Sequence, residues 1–64
     1  MASYRIKKPN GRLSWKNAAI DYEKSQVKII LNSEDLSTSG RNIVDVVLTI
    51  GSYTLGTTNF ILDV

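Results

Sequence analysis

The sequence predicts an all-β fold, a small antiparallel β-sandwich with five to six short strands. Apolar and polar residues alternate in several segments, most regularly over residues 42–50, where Val44, Val46, Leu48 and Ile50 share one face. Turn-forming residues separate these segments at intervals of about 8–12 residues, a spacing typical of sandwiches and small barrels. Almost no part of the chain shows the periodicity of a helix.

The first predicted hairpin opens the chain. Residues 4–8 alternate apolar and cationic side chains, as a half-buried strand does. The Lys-Pro-Asn-Gly run of residues 8–11 predicts a β-turn, because Pro presets φ, Asn tolerates the third position and Gly suits the fourth. Leu13 and Trp15 resume the alternation, so we expect both side chains to face the core.

A second hairpin is predicted from two further alternating segments. Residues 18–22 and residues 27–31 each place apolar side chains on one face, and a polar turn joins them. A single helical turn is expected over residues 33–36, capped by Asn32 or Ser33. The acidic residues in this turn would lie near its positive end. A Ser/Thr/Gly loop then leads to the next strand.

The last part of the chain predicts two more strands. Residues 42–50 form the longest candidate, and Gly51-Ser52 ends or bends it. Residues 53–55 are expected to continue the strand past a bulge, and residues 56–59 to form a turn. In the closing strand, the side chains expected to face the core are Phe60, Leu62 and Val64.

Length and composition limit how this fold can be stabilised. The 64 residues predict one domain, 1–64, and contain neither Cys nor His, so disulfides and a structural zinc site are excluded. A core of this size rarely supplies more than ~3–5 kcal/mol without such supports. Association with another chain is the remaining common remedy.

The same composition argues against catalysis. Without His or Cys, the commonest general base and the thiol nucleophile are missing. The adjacent Glu34 and Asp35 lie in the polar helical turn, where acidic residues ordinarily contact water. We therefore predict no enzymatic activity, no cofactor, no metal site and no small-molecule substrate.

Positive charge is concentrated at the start of the chain. Residues 1–16 contain five cations and no acid, whereas residues 17–64 contain three cations and six acids, giving +5 and −3. A basic hairpin of this kind binds nucleic acid, meets an acidic protein surface, or protects a sheet edge from uncontrolled pairing. Val47 adds an apolar side chain on the outer face of its strand. The candidate interaction residues are Arg5, Lys7, Lys8, Arg12, Lys16 and Val47.

The order of segments adds a resemblance. The chain contains the following segments in order: Ile-Lys-Lys-Pro-Asn-Gly, an Ala-Ile-Asp strand, Val-Lys-Ile-Ile-Leu, Glu-Asp-Leu-Ser-Thr-Ser-Gly, and a closing segment with Thr57, Phe60 and Val64. Nearly the whole chain thus resembles the immunoglobulin-like N-terminal domain of phage baseplate upper proteins, from tailed phages of Gram-positive bacteria. The resemblance implies an immunoglobulin-like sandwich that docks onto a tail or baseplate, with one edge open for another subunit and no catalytic residues.

These observations predict a structural or assembly module of a phage tail or baseplate that acts through protein–protein contacts. Its partners would be copies of itself or tail and baseplate subunits. The alternative is a small basic β-barrel module that binds nucleic acid. The sequence predicts neither a signal peptide nor a transmembrane segment. The expected location is the host cytoplasm during assembly, or the virion.

Overall fold

The computed structural model describes all 64 residues and consists of antiparallel β-structure with one short 3₁₀ turn. Its elements are β1 (Ala2–Lys8), β2 (Gly11–Arg12), β3 (Lys16–Asp21), β4 (Gln26–Lys28), the 3₁₀ turn (Ser33–Asp35), β5 (Arg41–Ile50) and β6 (Tyr53–Asp63). The six strands form one sheet in the order β4-β3-β1-β5-β6, and β2 pairs with the end of β1. The predicted all-β class is confirmed, and the antiparallel strands are arranged as a single curled sheet. The only helical element is the three-residue 3₁₀ turn, so the structure contains no helix that could span a lipid bilayer.

The core lies on the inner face of the sheet, where β1 and β5 run side by side. Ile6 lies opposite Val44 and Tyr4 lies opposite Val46 in this ladder. The buried apolar residues of the whole chain are Ala2, Ile6, Val44 and Val46. Because side chains alternate between the two faces of a strand, all four point to the same side. The inward direction predicted for Val44 and Val46 is therefore confirmed.

The segment after β4 covers part of this face. Ile29, Leu31 and Leu36 are half-buried or nearly so and pack against the buried cluster. The strand predicted over residues 27–31 is shorter than expected, because the ladder with β3 ends at Lys28. Apolar packing alone holds the rest of the segment inward. The predicted helical turn is present at Ser33–Asp35.

Asn42 fixes the loop between the 3₁₀ turn and β5. It is fully buried, although it is polar. It lies two residues before Val44 in β5, so both side chains are on the inner face. Its Oδ1 accepts a hydrogen bond from the Ser37 N–H at 2.8 Å, and its Nδ2 donates to the Ser37 carbonyl at 3.0 Å. These bonds offset the cost of burying an amide. By contrast, the side chain of Asn32, at the start of the 3₁₀ turn, makes no capping hydrogen bond.

The hairpin turns follow the local sequence. Lys8 pairs with Gly11 across Pro9 and Asn10, which confirms the predicted turn. Ile50 pairs with Tyr53 across Gly51-Ser52. Gly51 has a φ of +57°, and glycine with positive φ at the first loop position is characteristic of a type II′ hairpin turn.

The structure corrects the prediction for residues 56–59. This segment is not a turn: it lies inside β6 and pairs with β5, with Thr58 opposite Val46 and Gly56 opposite Leu48. The register shifts between Leu48 and Thr49, because Thr49 pairs with Thr54 and Leu55 is left as the extra residue of a bulge. The ladder with β5 overrides the turn preference of glycine and asparagine.

Burial at the C-terminal end also differs from the prediction. Ile50, Phe60, Leu62 and Val64 were expected in the core, but all four are exposed, and Phe60 retains 56% of its accessible surface. Phe60 does lie opposite Val44, on the inner face. The predicted direction is right for Phe60, whereas the predicted burial is wrong because no layer of the chain covers β6.

Gly40 joins two distant parts of the fold. Its φ is +94°, and a Cβ at this position would lie 2.9 Å from Cγ of Pro9. Its N–H donates to the Val64 carbonyl at 2.9 Å, and the Val64 N–H donates back to the Gly40 carbonyl at 2.9 Å. Gly40 therefore meets the first hairpin on one side and the end of β6 on the other.

Replacing Ile6 with Ala should lower the free energy of unfolding by about 2–5 kcal/mol, because a side chain only 2% exposed would leave a cavity. Ile50→Ala, at a position 63% exposed, is the matched control and should change it by less than about 0.5 kcal/mol. Urea denaturation followed by circular dichroism measures both. Equal losses in the two variants would contradict the placement of the core.

Replacing Gly40 with Ala should cost about 1–3 kcal/mol of stability, because the new Cβ meets Pro9 and the backbone is left-handed. Gly56→Ala is the control, since its Cβ would meet nothing within 4 Å and its φ is not positive. The control should be close to neutral. Thermal unfolding of the two variants compares them directly, and an unchanged midpoint for Gly40→Ala would count against the contact.

Candidate protein-interaction surface

Strand β6 forms a long, unprotected edge of the sheet. It pairs only with β5, and all 11 of its residues are exposed. It contains no Lys, Arg or Pro, and Asp63 is its only charged residue. Natural edge strands are usually short, charged, bulged or covered, because an open edge recruits other strands. β6 has a bulge near one end and otherwise lacks these protections.

The open backbone groups of β6 can be identified from the ladder. Gly40 and Val64 exchange both of their hydrogen bonds, so they form a hydrogen-bonded pair. Such pairs alternate with non-hydrogen-bonded pairs in an antiparallel ladder. The residues that pair by hydrogen bonds with β5 are therefore the even-numbered ones from 58 to 64. The N–H and C=O groups that point away from β5 belong to Thr57, Asn59, Ile61 and Asp63.

The opposite edge of the sheet is different. β4 is only three residues long and ends with Lys28. A short edge that carries a cation offers few consecutive backbone groups to another chain. The segment after it has no ladder and packs against the core through Ile29 and Leu31. Of the two edges, β6 is the one suited to strand addition.

An apolar groove runs beside β6 on the inner face. Val27 and Ile29 form one wall, and Val46, Leu48 and Phe60 form the floor and the other wall. The groove has a volume of about 330 Å³, enough for a few apolar side chains. It lies next to the open edge, so a strand added to β6 would place alternate side chains over it.

The outer face carries a compact charged cluster. Arg5 and Lys7 both contact Asp45, at 3.5 Å and 3.2 Å between nitrogen and carboxylate oxygen. The Arg5 guanidinium also lies over the Trp15 ring, 4.6 Å from its centroid, and its Nε–H has no hydrogen-bond partner. Trp15 is 45% exposed, so its predicted place in the core is wrong. Leu13 does pack on the core, but the strand alternation stops after Arg12.

The structure separates the candidate residues predicted from the sequence. Arg5, Lys7 and Val47 lie on the outer face, and Arg12 joins them as the partner of Lys7 across the first hairpin. Lys16 contacts Asp35 at 3.4 Å instead. The remaining candidate, Lys8, lies at the turn opposite Gly11. The six residues therefore do not form one site.

Sequence reasoning missed the β6 edge. The available signal was a run from residue 53 to residue 62 with β-branched and aromatic residues and no charge. Gly56 and Asn59 concealed it, because both indicate a turn. The structure also contains no group of three or more His, Cys, Asp or Glu residues that could hold a metal ion.

The single carboxylate of β6 is paired. Arg41 Nε donates to Asp63 Oδ1 at 2.8 Å, and the second guanidinium nitrogen donates to Oδ2 at 3.2 Å. These hydrogen bonds lower the pKa of Asp63 and raise the pKa of Arg41. The pair compensates the charge of Asp63, so β6 presents a nearly neutral edge to a partner.

Replacing Arg41 with Gln should raise the pKa of Asp63 back toward its ordinary range, because the hydrogen bonds from the guanidinium that lower it are removed. Folding lowers the pKa of Asp63, so the ion pair adds to the free energy of unfolding at pH values above the ordinary pKa of an aspartate. This added stability is lost as the pH falls through the lowered pKa of the folded state. Carboxyl NMR titration measures the shift. Lys16→Gln is the control and should leave Asp63 unchanged; an unchanged pKa in Arg41→Gln would contradict the pairing.

Comparison with protein-family models, with curated proteins and with solved structures finds no match for this chain. The edge, the groove and the charged cluster are therefore the features of the molecule that bear on its function. Five of the twelve large apolar side chains that are exposed in this protein lie on the edge strand: Tyr53, Leu55, Phe60, Ile61 and Leu62.

Proposed function

We propose that this protein is a non-enzymatic structural module that assembles with other protein chains by strand addition at β6. The observation that carries the proposal is an edge strand of 11 exposed residues, with open backbone groups at every second residue from 57 to 63 and one compensated charge. Strand addition uses main-chain hydrogen bonds for affinity and alternate side chains for specificity. β6 supplies both of these elements on a single edge.

The small core supports the same proposal. Only four apolar residues are buried, in a chain that lacks disulfides. Fully covering one large apolar side chain contributes about 1.5–3 kcal/mol. Phe60 and Leu62 are 56% and 38% exposed, so covering what remains of both would add roughly 1.5–3 kcal/mol together, a substantial fraction of the ~3–5 kcal/mol expected of the whole core. A partner that occupies the groove would stabilise the domain as it binds.

The resemblance to baseplate upper proteins suggests where such a module would act. In that setting, the partners would be subunits of a phage tail or baseplate, and the open edge would connect this domain to its neighbours. The charged cluster around Arg5 would then lie on the far side of the sheet, facing away from the groove.

A nucleic-acid interface is the second candidate, and the exposure of Trp15 favours it. An exposed aromatic ring beside cations is the arrangement that binds single-stranded nucleic acid by stacking and charge. Arg5, Lys7 and Arg12 lie on the same face as this ring. Asp45 compensates part of their charge, and this weakens the attraction to phosphate.

Strand addition can be tested by supplying a strand in the same chain. A second copy of residues 56–64, joined after Val64 by a flexible linker of about six residues, is long enough to fold back along β6. The added strand should raise the melting temperature by several degrees, since about 1 kcal/mol corresponds to ~4–8 °C in a domain of this size. Thermal unfolding monitored by circular dichroism measures the change.

The control for this experiment has the same linker followed by the same residues with prolines at alternate positions, which cannot pair as a strand. Equal melting temperatures for the two proteins would contradict the proposed function. Amide exchange at Thr57, Asn59 and Ile61 adds a local readout, because pairing at the open edge should slow exchange at these three amides.

The nucleic-acid candidate makes a separate prediction. Binding to single-stranded DNA should weaken steeply with salt and should be lost when Lys7, Lys8 and Arg12 are replaced by Gln. Fluorescence of Trp15, the only tryptophan, should be quenched by a stacked base. Replacing Lys24 and Lys28 by Gln is the control for loss of positive charge elsewhere on the protein, and it should weaken binding much less. Binding to single-stranded DNA that is insensitive to salt, or no binding at all, would exclude this function.

A further inference from the structure

Deepening the proposed function, on which this inference rests, we propose that the strand added to β6 is β6 of a second copy of this chain. The two strands would run antiparallel about a two-fold axis at Asn59. The two six-stranded sheets would then form one continuous sheet of twelve strands, with the two apolar grooves on either side of the axis. The occupant of the open edge is thus a second copy, paired isologously.

The exposed area of the chain matches what a dimer needs. The accessible surface is 4855 Å² for a mass of 7.1 kDa. A compact monomer of that mass exposes about 4,100 Å² by the general scaling of surface with mass. The excess is roughly 750 Å², and each partner in a standard protein interface contributes about 800 Å².

The backbone geometry of β6 permits self-pairing in only some registers. The open groups belong to odd-numbered residues, so each hydrogen-bonded pair between two copies must join two odd-numbered residues. The axis must therefore fall on a residue and not between two residues. An axis at Asn59 satisfies this condition, and it lies in the regular part of β6 beyond the bulge at Leu55.

The side chains fit this register. Thr58 lies opposite Phe60 of the second copy, and Thr57 lies opposite Ile61, which are favourable aromatic and β-branched pairs. Gly56 lies opposite Leu62, so a large side chain covers the position without a Cβ. The two Asp63 carboxylates lie at opposite ends of the paired segment and retain their bonds to Arg41. No like charges face each other.

Charge also favours a second copy over a charged partner. The paired segment, residues 55–63, contains no cation and one compensated acid. Such a surface offers nothing to steer a strongly acidic or basic chain toward it. The apolar and hydroxyl side chains of this segment are matched by those of the antiparallel β6 strand in the second copy.

Light scattering behind size exclusion tests the inference, over protein concentrations from about 10 µM to 1 mM, because dimerisation depends on concentration. The expected mass at the upper end is twice the 7.1 kDa of the chain. At the same concentration, amide exchange should be slow at Thr57, Asn59 and Ile61. These amides should exchange rapidly in dilute samples, whereas the amides of Thr58 and Phe60 should be protected at both concentrations.

Two matched pairs of variants locate the interface. Asn59→Pro removes an N–H that β5 does not use, so the domain should fold but remain monomeric, whereas Asn59→Ala should still dimerise. Ile61→Lys introduces a charge on the edge and should weaken dimerisation at least tenfold. Ile50→Lys, at a similarly exposed position beyond the paired segment, should not weaken it. Circular dichroism confirms folding of all four variants.

A monomer at every concentration would overturn the inference, as would a dimer that both Asn59→Pro and Ile61→Lys leave intact while folded. The linked-strand experiment separates this failure from failure of the proposed function. If the linked strand stabilises the domain but the unmodified chain stays monomeric, the edge accepts strands and the natural occupant is a foreign chain. If neither effect is observed, strand addition itself is wrong.

Discussion

The contact between Ile6 and Val44 is the interaction on which the rest of the structure depends. These residues face each other across the two strands at the centre of the sheet, and they form the buried cluster together with Val46. The segment after β4 and the 3₁₀ turn pack against this cluster. This cluster is the only place where one face of the sheet is fully shielded from water. The rest of the sheet is held by backbone hydrogen bonds and by partly buried side chains.

The exposed edge follows from that arrangement. β6 is joined to β5 by a ladder along its whole length, interrupted only by the bulge at Leu55, but no further element of the chain covers its inner face. Phe60 points toward the core side and remains uncovered. A rigid strand with uncovered apolar side chains is well prepared to bind, since little conformational entropy is lost when a partner adds to it. The small core and the open edge therefore have the same physical origin, which is that no layer of the chain covers β6.

The sequence was a good guide to strand direction and a poor guide to coverage. The alternation in residues 42–50 correctly placed Val44 and Val46 inside, because only one orientation of the strand buries apolar side chains that recur at every second position. The same alternation placed Phe60 on the correct face, but a period of two does not reveal whether another layer lies above that face. Gly56 indicated a turn, because the preference of glycine for turns is a local property. It does not include the effect of pairing with Leu48 in the ladder. The open edge, which is a property of topology, could not be predicted from residue spacing alone.

The position of β1 in the sheet has a consequence for how quickly the chain folds. The hairpins β1–β2, β3–β4 and β5–β6 join neighbouring segments, and such hairpins form in about 1–10 µs. The β1–β5 ladder instead joins the first strand to the fifth, so a long loop must close before Ile6 meets Val44. Folding rates fall as contacts become less local, so we expect this ladder to be the slow step. Until it forms, the completed β5–β6 hairpin exposes both of its edges, and only the later docking of β1 covers one of them and protects it from aggregation.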